Sequence, residues 1–263
     1  MSSHRQKSGK SGSERRSGSL SVKNQTNGVW LYGYHAVAAA LQNPQRKIYR
    51  LLLSKETAAE LPQKLIPAGL NYESTGRAEF EQLLPKGAVH QGIAAYVSVL
   101  PCVFEEDLPE KSPSVIVILD QVTDPHNVGA VMRSAAAFEA DAVIITERNA
   151  PEATGALAKS ASGALELVPL ITVSNLARTM QFLKDRGYWC VGMDGSAEKT
   201  LRDAALPRKI ALVMGSEGYG LRRLTAQNCD FMVKLPISER VESLNVSNAA
   251  AIALYDLKYK LAQ

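Results

Sequence analysis

The feature that most constrains this chain is a series of short, uninterrupted apolar runs in its C-terminal half. Residues 115–119 (VIVIL) are followed by runs at 142–145, 167–171, 188–192, 210–214 and 231–235, with helical or turn segments between them. Continuous apolarity over four or five residues marks strands buried on both faces, as the strands of parallel sheets are. Strands alternating with helical segments predict an α/β domain. The last segment, residues 246–261, places Val246, Ala250, Ala253, Leu257 and Leu261 on one helical stripe, so the sequence closes on a packed helix.

A smaller pattern of the same kind precedes it. Residues 35–42 (HAVAAALQ) read as a helix ended before Pro44, 48–53 (IYRLLL) as a strand, 57–65 as a helix, 70–73 as a strand, 77–84 as a helix and 92–100 (GIAAYVSVL) as a closing strand. Residues 29–100 thus predict a small α/β domain and residues 114–263 a larger one. Between them, residues 101–113 (PCVFEEDLPEKSP) carry three prolines and neither period, as an interdomain linker does. With 263 residues, 46% of them hydrophobic, the chain can bury a core in each part. No run approaches the roughly 18 apolar residues of a membrane helix, and the first residues lack the apolar stretch of a secretory signal, so a cytoplasmic protein is expected.

Cys102, Cys190 and Cys229 are odd in number, far apart and without companion histidines at ligand spacing, which predicts reduced cysteines and no metal. The net charge of +4 resides in residues 1–28, where Arg5, Lys7, Lys10, Arg15, Arg16 and Lys23 face only Glu14, leaving the remainder near neutral. This Ser- and Gly-rich tail has no apolar periodicity and is expected to be disordered. Two readings fit it: a basic arm touching RNA phosphates, or a solvated extension.

Three segments carry chemistry. The first, Asp120 to Arg133 (DQVTDPHNVGAVMR), directly follows the first buried strand. Asp124 suits a helix N-cap and Pro125 the first helical position, so the helix starts at the carboxyl edge of the sheet, where open α/β sheets bind ligands. Val128, Val131, Met132, Ala135 and Ala136 form its core stripe. Arg133 lies roughly 140° from Val128 at about 100° per residue, on the face it shares with Gly129. The second, residues 215–221 (GSEGYGL), is a glycine loop that lets backbone approach a ligand closely; its spacing is not the GxGxxG dinucleotide fingerprint. The third, residues 235–247 (LPISERVESLNVS), clusters Ser243, Asn245 and Ser247 at a helix start behind an apolar Leu-Pro-Ile that could line an adenine pocket. Taken singly, each has a structural reading as a helix start, a tight turn or a cap.

In order and spacing the three resemble the signature motifs of the SpoU/TrmH branch of the SPOUT RNA 2′-O-ribose methyltransferases. The resemblance runs from Val115 to the C-terminus and includes residues 159–164 (KSASGA), similar to the family's lysine and small-residue segment. Residues 29–100, with Tyr32-Gly33 near the start and His90-Gln91-Gly92 before the last strand, are similar to the ribosomal-protein-like RNA-binding domain of the bacterial enzymes that methylate guanosine in 23S ribosomal RNA. Two positions depart: Glu139 stands where the family usually has glycine, and Asn248 where it usually has an apolar residue.

The resemblance implies a C-terminal trefoil knot, which departs from ordinary connection rules, S-adenosylmethionine as cofactor, and a homodimer acting on structured RNA. It implies cofactor contacts at Gly215, Leu235, Ile237 and Leu244, and a catalytic set of Asn127, Arg133, Glu217, Ser243 and Asn245, with no metal. A guanidinium, with a pKa of roughly 12 or more, is a poor base near neutrality. Arg133 is therefore expected to hold the nucleotide phosphate and hydroxyl in line and to stabilise developing charge. Asn127 and Asn245 would orient these groups, Glu217 would pair with Arg133 or a substrate donor, and the proton would leave through phosphate, water or Ser243. Rival readings are a transfer-RNA or ribosomal-adenosine methyltransferase, a non-catalytic RNA-binding protein, and a dinucleotide-dependent oxidoreductase. The last requires GxGxxG after the first strand, where DQVTDPHN stands instead.

Overall fold

The computed structural model describes residues 28–149 and 155–262; the basic tail expected over 1–28 lies, but for Gly28, outside the described residues. Ten strands form two sheets. β1 (Gly28–Tyr32), β2 (Ile48–Leu53), β3 (Glu73–Ser74) and β4 (Ile93–Ser98) make a four-stranded sheet in the order β1-β4-β2-β3. Its one face is covered by α1 (Tyr34–Gln42) and α2 (Lys55–Glu60), through Val37, Ala40, Leu41, Ala58 and Leu61. The other is covered by α3 (Arg77–Leu83), through Phe80 and Leu83.

Two expectations for this part are corrected. The helix expected over 57–65 stops at Glu60, because Leu61 precedes Pro62 and turns extended, and a separate short turn, Gln63–Leu65, follows. The strand expected at 70–73 is only the pair Glu73–Ser74, joined in parallel to Leu52 and Leu53. β1, which no sequence expectation covers, has Val29 and Leu31 facing α1 while Trp30 and Tyr32 face α3; covered on both sides, it shows no polar alternation.

The larger sheet contains β5 (Ser114–Leu119), β6 (Ala142–Thr146), β7 (Leu170–Val173), β8 (Trp189–Met193), β9 (Lys209–Met214) and β10 (Phe231–Val233). Its order is β10-β8-β9-β5-β6-β7, and every pairing is parallel. β7 starts three residues later than expected because a turn at Ala164–Glu166 precedes it. Successive residues of β5 serve opposite faces. Val117 and Leu119 pack beneath α4 (Pro125–Ala137), α5 (Gly155–Ala161) and α8 (Val246–Leu261), whereas Ile116 and Ile118 pack with α6 (Leu176–Asp185). The short α7 (Arg223–Gln227) completes the set.

The connecting segment lies against the larger sheet. Leu108 is buried with the α6 layer, and Arg186 donates to the carbonyls of Glu105, Glu106 and Leu108 and to the Glu110 carboxylate.

The two sheets meet through α5 and the turn after it. Ala158 is buried in the core of the small sheet. Arg46 and Glu166 form an ion pair whose side chains are only 5% and 4% exposed. Asn43 also donates to Glu166 at 2.6 Å, and the Arg46 guanidinium donates to the Ser98 carbonyl. Gly155 and Gly163 allow the approach: a Cβ on Gly155 would sit 2.4 Å from the Tyr32 ring, and one on Gly163 2.7 Å from the Ala39 methyl. A buried pair held by this many partners is costly to halve, since the remaining charge stays desolvated. Glu166→Ala is expected to destabilise the chain by about 3 kcal/mol and Arg46→Met/Glu166→Met by clearly less, measured by denaturant unfolding.

Candidate active site

Parallel pairing brings the carboxyl ends of β5 and β9 side by side, with Leu119 opposite Met214. At the end of β5 the chain turns into α4 as its sequence predicts. Asp124 accepts from the His126 amide at 2.9 Å and Pro125 occupies the first turn. Asp120, fully buried, anchors the other side of the edge, accepting from the Arg222 amide at 3.1 Å and from its guanidinium at 2.7 Å.

After β9, residues 215–220 fold into a loop closed on itself: Ser216 and Gly220 exchange both backbone hydrogen bonds, at 3.0 and 3.1 Å. Gly218 and Gly220 have φ of 79° and 64°, in the left-handed region that favours glycine. Gly215 is required for a different reason, because a Cβ there would stand 2.2 Å from the Gly220 carbonyl carbon. The third segment runs from β10 to α8, where Asn245 is the N-cap and accepts from the Ser247 amide at 2.9 Å.

These three segments are tied by side-chain amides. Asn127 donates to Glu217 Oε1 at 3.0 Å, Asn245 donates to the same oxygen at 2.6 Å, and Asn245 also donates to Asn127 Oδ1 at 3.0 Å. A carboxylate oxygen receiving two amide donors is held as an acceptor. Beside this triangle opens a cleft of about 290 Å³ whose lining includes Gly215, Leu235, Ile237 and Leu244, together with Ser243 and Glu217. Met193, Asp194 and Gly195, at the end of β8, form a further wall. They carry no glycine pattern or cap signature; only their position after a buried strand could have singled them out.

Arg133 stands apart. It is exposed on α4 and, among the described residues, makes no hydrogen bond or ion pair; Glu217 is engaged by asparagines instead. Gly129, expected on the same open face, is buried: a Cβ there would lie 2.5 Å from that of Ser160 on α5. Ser160 in turn donates to the His126 carbonyl at 2.9 Å. Cys190 and Cys229 are free thiols that burial pushes up to about 12, which makes them inert packing groups.

Residues 114–255 match the model of the SpoU rRNA methylase family. The chain belongs to that family. Residues 30–101 match the substrate-binding domain of RNA 2′-O-ribose methyltransferases. The chain is 41% identical over 233 residues to the 23S rRNA (guanosine-2′-O-)-methyltransferase RlmB of Pseudomonas putida, covering 86% of this chain and 94% of the relative. Against the Escherichia coli K12 protein of the same name, identity is 39% over 236 residues, 86% of this chain and 96% of the relative. The fold is that of the SpoU methyltransferase AviRb from Streptomyces viridochromogenes in complex with AdoMet, with a TM-score of 0.75, 22% identity, and 89% and 90% of the two chains covered. The chain is therefore an RNA 2′-O-ribose methyltransferase. No helix among the described residues is long and apolar enough to cross a membrane.

The lining of the cleft would suit S-adenosylmethionine: apolar walls from Met214, Leu235, Ile237 and Leu244 for a nucleobase, and open backbone at Gly215 and Gly218 for polar edges. Gly215→Ala must displace the Gly220 backbone, at roughly 1–3 kcal/mol of overpacking. It is expected to weaken S-adenosylmethionine binding at least tenfold by calorimetry while the chain remains folded by circular dichroism.

Proposed function

We propose that this chain methylates the 2′-hydroxyl of a guanosine in 23S ribosomal RNA, acting as a homodimer through a knotted C-terminal domain. The observation that carries this reading is the Asn127–Glu217–Asn245 triangle at the mouth of an apolar, glycine-walled cleft. The names of relatives that align over nearly their whole length supply the RNA and the base. In this reading residues 29–100 hold the RNA, 101–113 connect, and 114–263 carry the methyl-transfer site.

S-adenosylmethionine supplies an electrophilic methyl group when bound. The chain's own residues then have three tasks. Gly215, Leu235, Ile237 and Leu244 hold the cofactor, largely through backbone and apolar atoms. Asn127 and Asn245, each fixed by hydrogen bonds on the Glu217 carboxylate, orient the ribose. Arg133 grips phosphate and hydroxyl with its planar fork and stabilises the charge that develops as the hydroxyl loses its proton. That proton passes to phosphate, water or Ser243.

That Arg133 has no partner among the described residues supports a dimeric site, in which the arginine of one subunit serves the cleft of the other. A ready face exists. Ile252, Tyr255 and Tyr259, at i, i+3 and i+7 on α8, are 46%, 46% and 61% exposed, and Tyr255 also meets Phe138, at the end of α4, edge-on at 5.9 Å. The knot reading rests on α8 returning from the edge strand β10 to pack on α4, above the centre of the sheet.

Two measurements test this. Arg133→Ala is expected to lose turnover on the order of 10²- to 10³-fold with S-adenosylmethionine affinity unchanged, and Arg133→Lys to fail nearly as badly, because an ammonium cannot reproduce a bidentate contact. A lysine variant with near-normal single-turnover methylation would refute the geometric role. Light scattering at micromolar concentration should give a dimer, and Tyr255→Arg/Tyr259→Glu a monomer without turnover; a wild-type monomer would sink the shared site.

A further inference from the structure

A large cleft lies far from the triangle in sequence, in the N-terminal sheet domain. It is a cleft of about 1170 Å³ between the start of α2, the start of α3 and the loop from α3 to β4. Its lining includes three cations, Lys55, Arg77 and Lys86, against two carboxylates, Glu56 and Glu81, together with the hydroxyls of Ser54, Ser74 and Thr75. Arg77 shares its charge with Glu81 at 2.6 Å, while Lys55 and Lys86 form no ion pair among the described residues.

One ring in this cleft is held flat. His90 stacks on the buried Phe80 with centroids 4.2 Å apart and planes 18° from parallel, and its Nδ1 accepts the Gly92 amide at 3.1 Å. One face and one nitrogen are thereby fixed, leaving the other face and Nε2. Burial, with a smaller contribution from the Arg77 guanidinium, pushes His90 below its ordinary pKa. At neutral pH the ring is uncharged, and since Nδ1 is an acceptor, Nε2 carries the proton as a donor. A flat, desolvated imidazole backed by a phenyl ring is a surface on which a nucleobase stacks.

The cleft is also wired to the methyl-transfer domain. Gln91, between the lining residues His90 and Gly92, has φ of 55° and points its side-chain oxygen at the Tyr34 amide, at 3.1 Å, and the Lys159 ammonium, at 2.9 Å. Lys159 passes over Gly33, where a Cβ would stand 2.5 Å from its Nζ. Its neighbour Ser160 is bonded to the carbonyl of His126, next to Asn127. Only Gln91, Lys159 and Ser160 therefore separate the wall of the cleft from the helix that begins the active site, and the buried Arg46–Glu166 pair fixes the same junction.

We propose that this cleft binds an unpaired nucleotide of the substrate RNA outside the one that is methylated, its base stacked on His90 and its phosphate between Lys55, Arg77 and Lys86. The assignment rests on the reading of the chain as a methyltransferase of structured RNA and names the surface that reads that structure. An acidic peptide would engage the same cations but would have no use for the stacked ring.

The test uses the full chain and a 23S ribosomal RNA transcript. Lys55→Glu/Lys86→Glu should raise the RNA KM at least tenfold and reduce the slope of log affinity against log salt by about two, with S-adenosylmethionine affinity unchanged by calorimetry. His90→Ala should weaken RNA binding about tenfold, as loss of one stacked base does, and His90→Phe should restore it, which a purely structural role for the Nδ1 bond would not allow. Wild-type KM and salt slope in both the lysine and alanine variants of an active enzyme overturn the cleft assignment alone. Failure of the unaltered chain to methylate any RNA overturns the functional reading, and this inference with it.

Discussion

Everything at the candidate site depends on the parallel pairing of β5 with β9. Because parallel strands end at the same edge, the loops that follow Leu119 and Met214 leave the sheet together. Asn127 and Glu217, 90 positions apart in the chain, can then meet at 3.0 Å. The last strand, β10, lies at the far edge of the sheet, so the chain must travel back before α8 can start. Asn245 marks where that return ends, since its side chain caps α8 through its oxygen and bonds Glu217 and Asn127 through its nitrogen. One asparagine thus closes a helix and a site at once, and changing it would affect both.

A second constraint is steric. Gly215 is tied to Gly220, Gly129 to Ser160, Gly155 to Tyr32 and Gly163 to Ala39 by approaches that no side chain would tolerate. The last two draw the small sheet domain onto α5, and Gly129 draws α5 onto α4. Packing of this density transmits position, because a close-packed interface has few ways to relax. The small sheet domain and the helix that begins the candidate site are accordingly one mechanical unit, although a proline-rich connector joins them in sequence.

How much of this was legible follows the same physics. The buried strands and the cap at Asp124 were readable because their signals are local: apolar runs, Asp-Pro, and glycines after a strand. Cofactor contacts at Gly215, Leu235, Ile237 and Leu244 were expected from a family resemblance, and the structure gathers those four into one cleft. Glu139 carries φ of 58°, which explains why glycine would suit that position and why its replacement stood out. What escaped was non-local. Nothing near Arg46 announces Glu166, 120 positions on, and nothing near Gly129 announces that α5 will cover it. The break at Pro62 was local and readable, but the apolar spacing of 57–65 outweighed it.

The chemistry itself explains why such a chain needs two coupled parts. A ribose hydroxyl is the same on every nucleotide, so the proposed set of Asn127, Asn245 and Arg133, whose task would be to orient it, cannot choose among them. Discrimination must come from RNA shape, which in structured RNA is read at unpaired bases and backbone rather than along the helical grooves. A reader of shape selects one nucleotide only if its distance from the methyl-transfer site is fixed. The buried Arg46–Glu166 pair and the Gln91–Lys159 contact supply that fixed distance. A buried ion pair is a weak source of net stability; here its geometric exactness, between two domains that on the proposed reading share one RNA, is the property that matters.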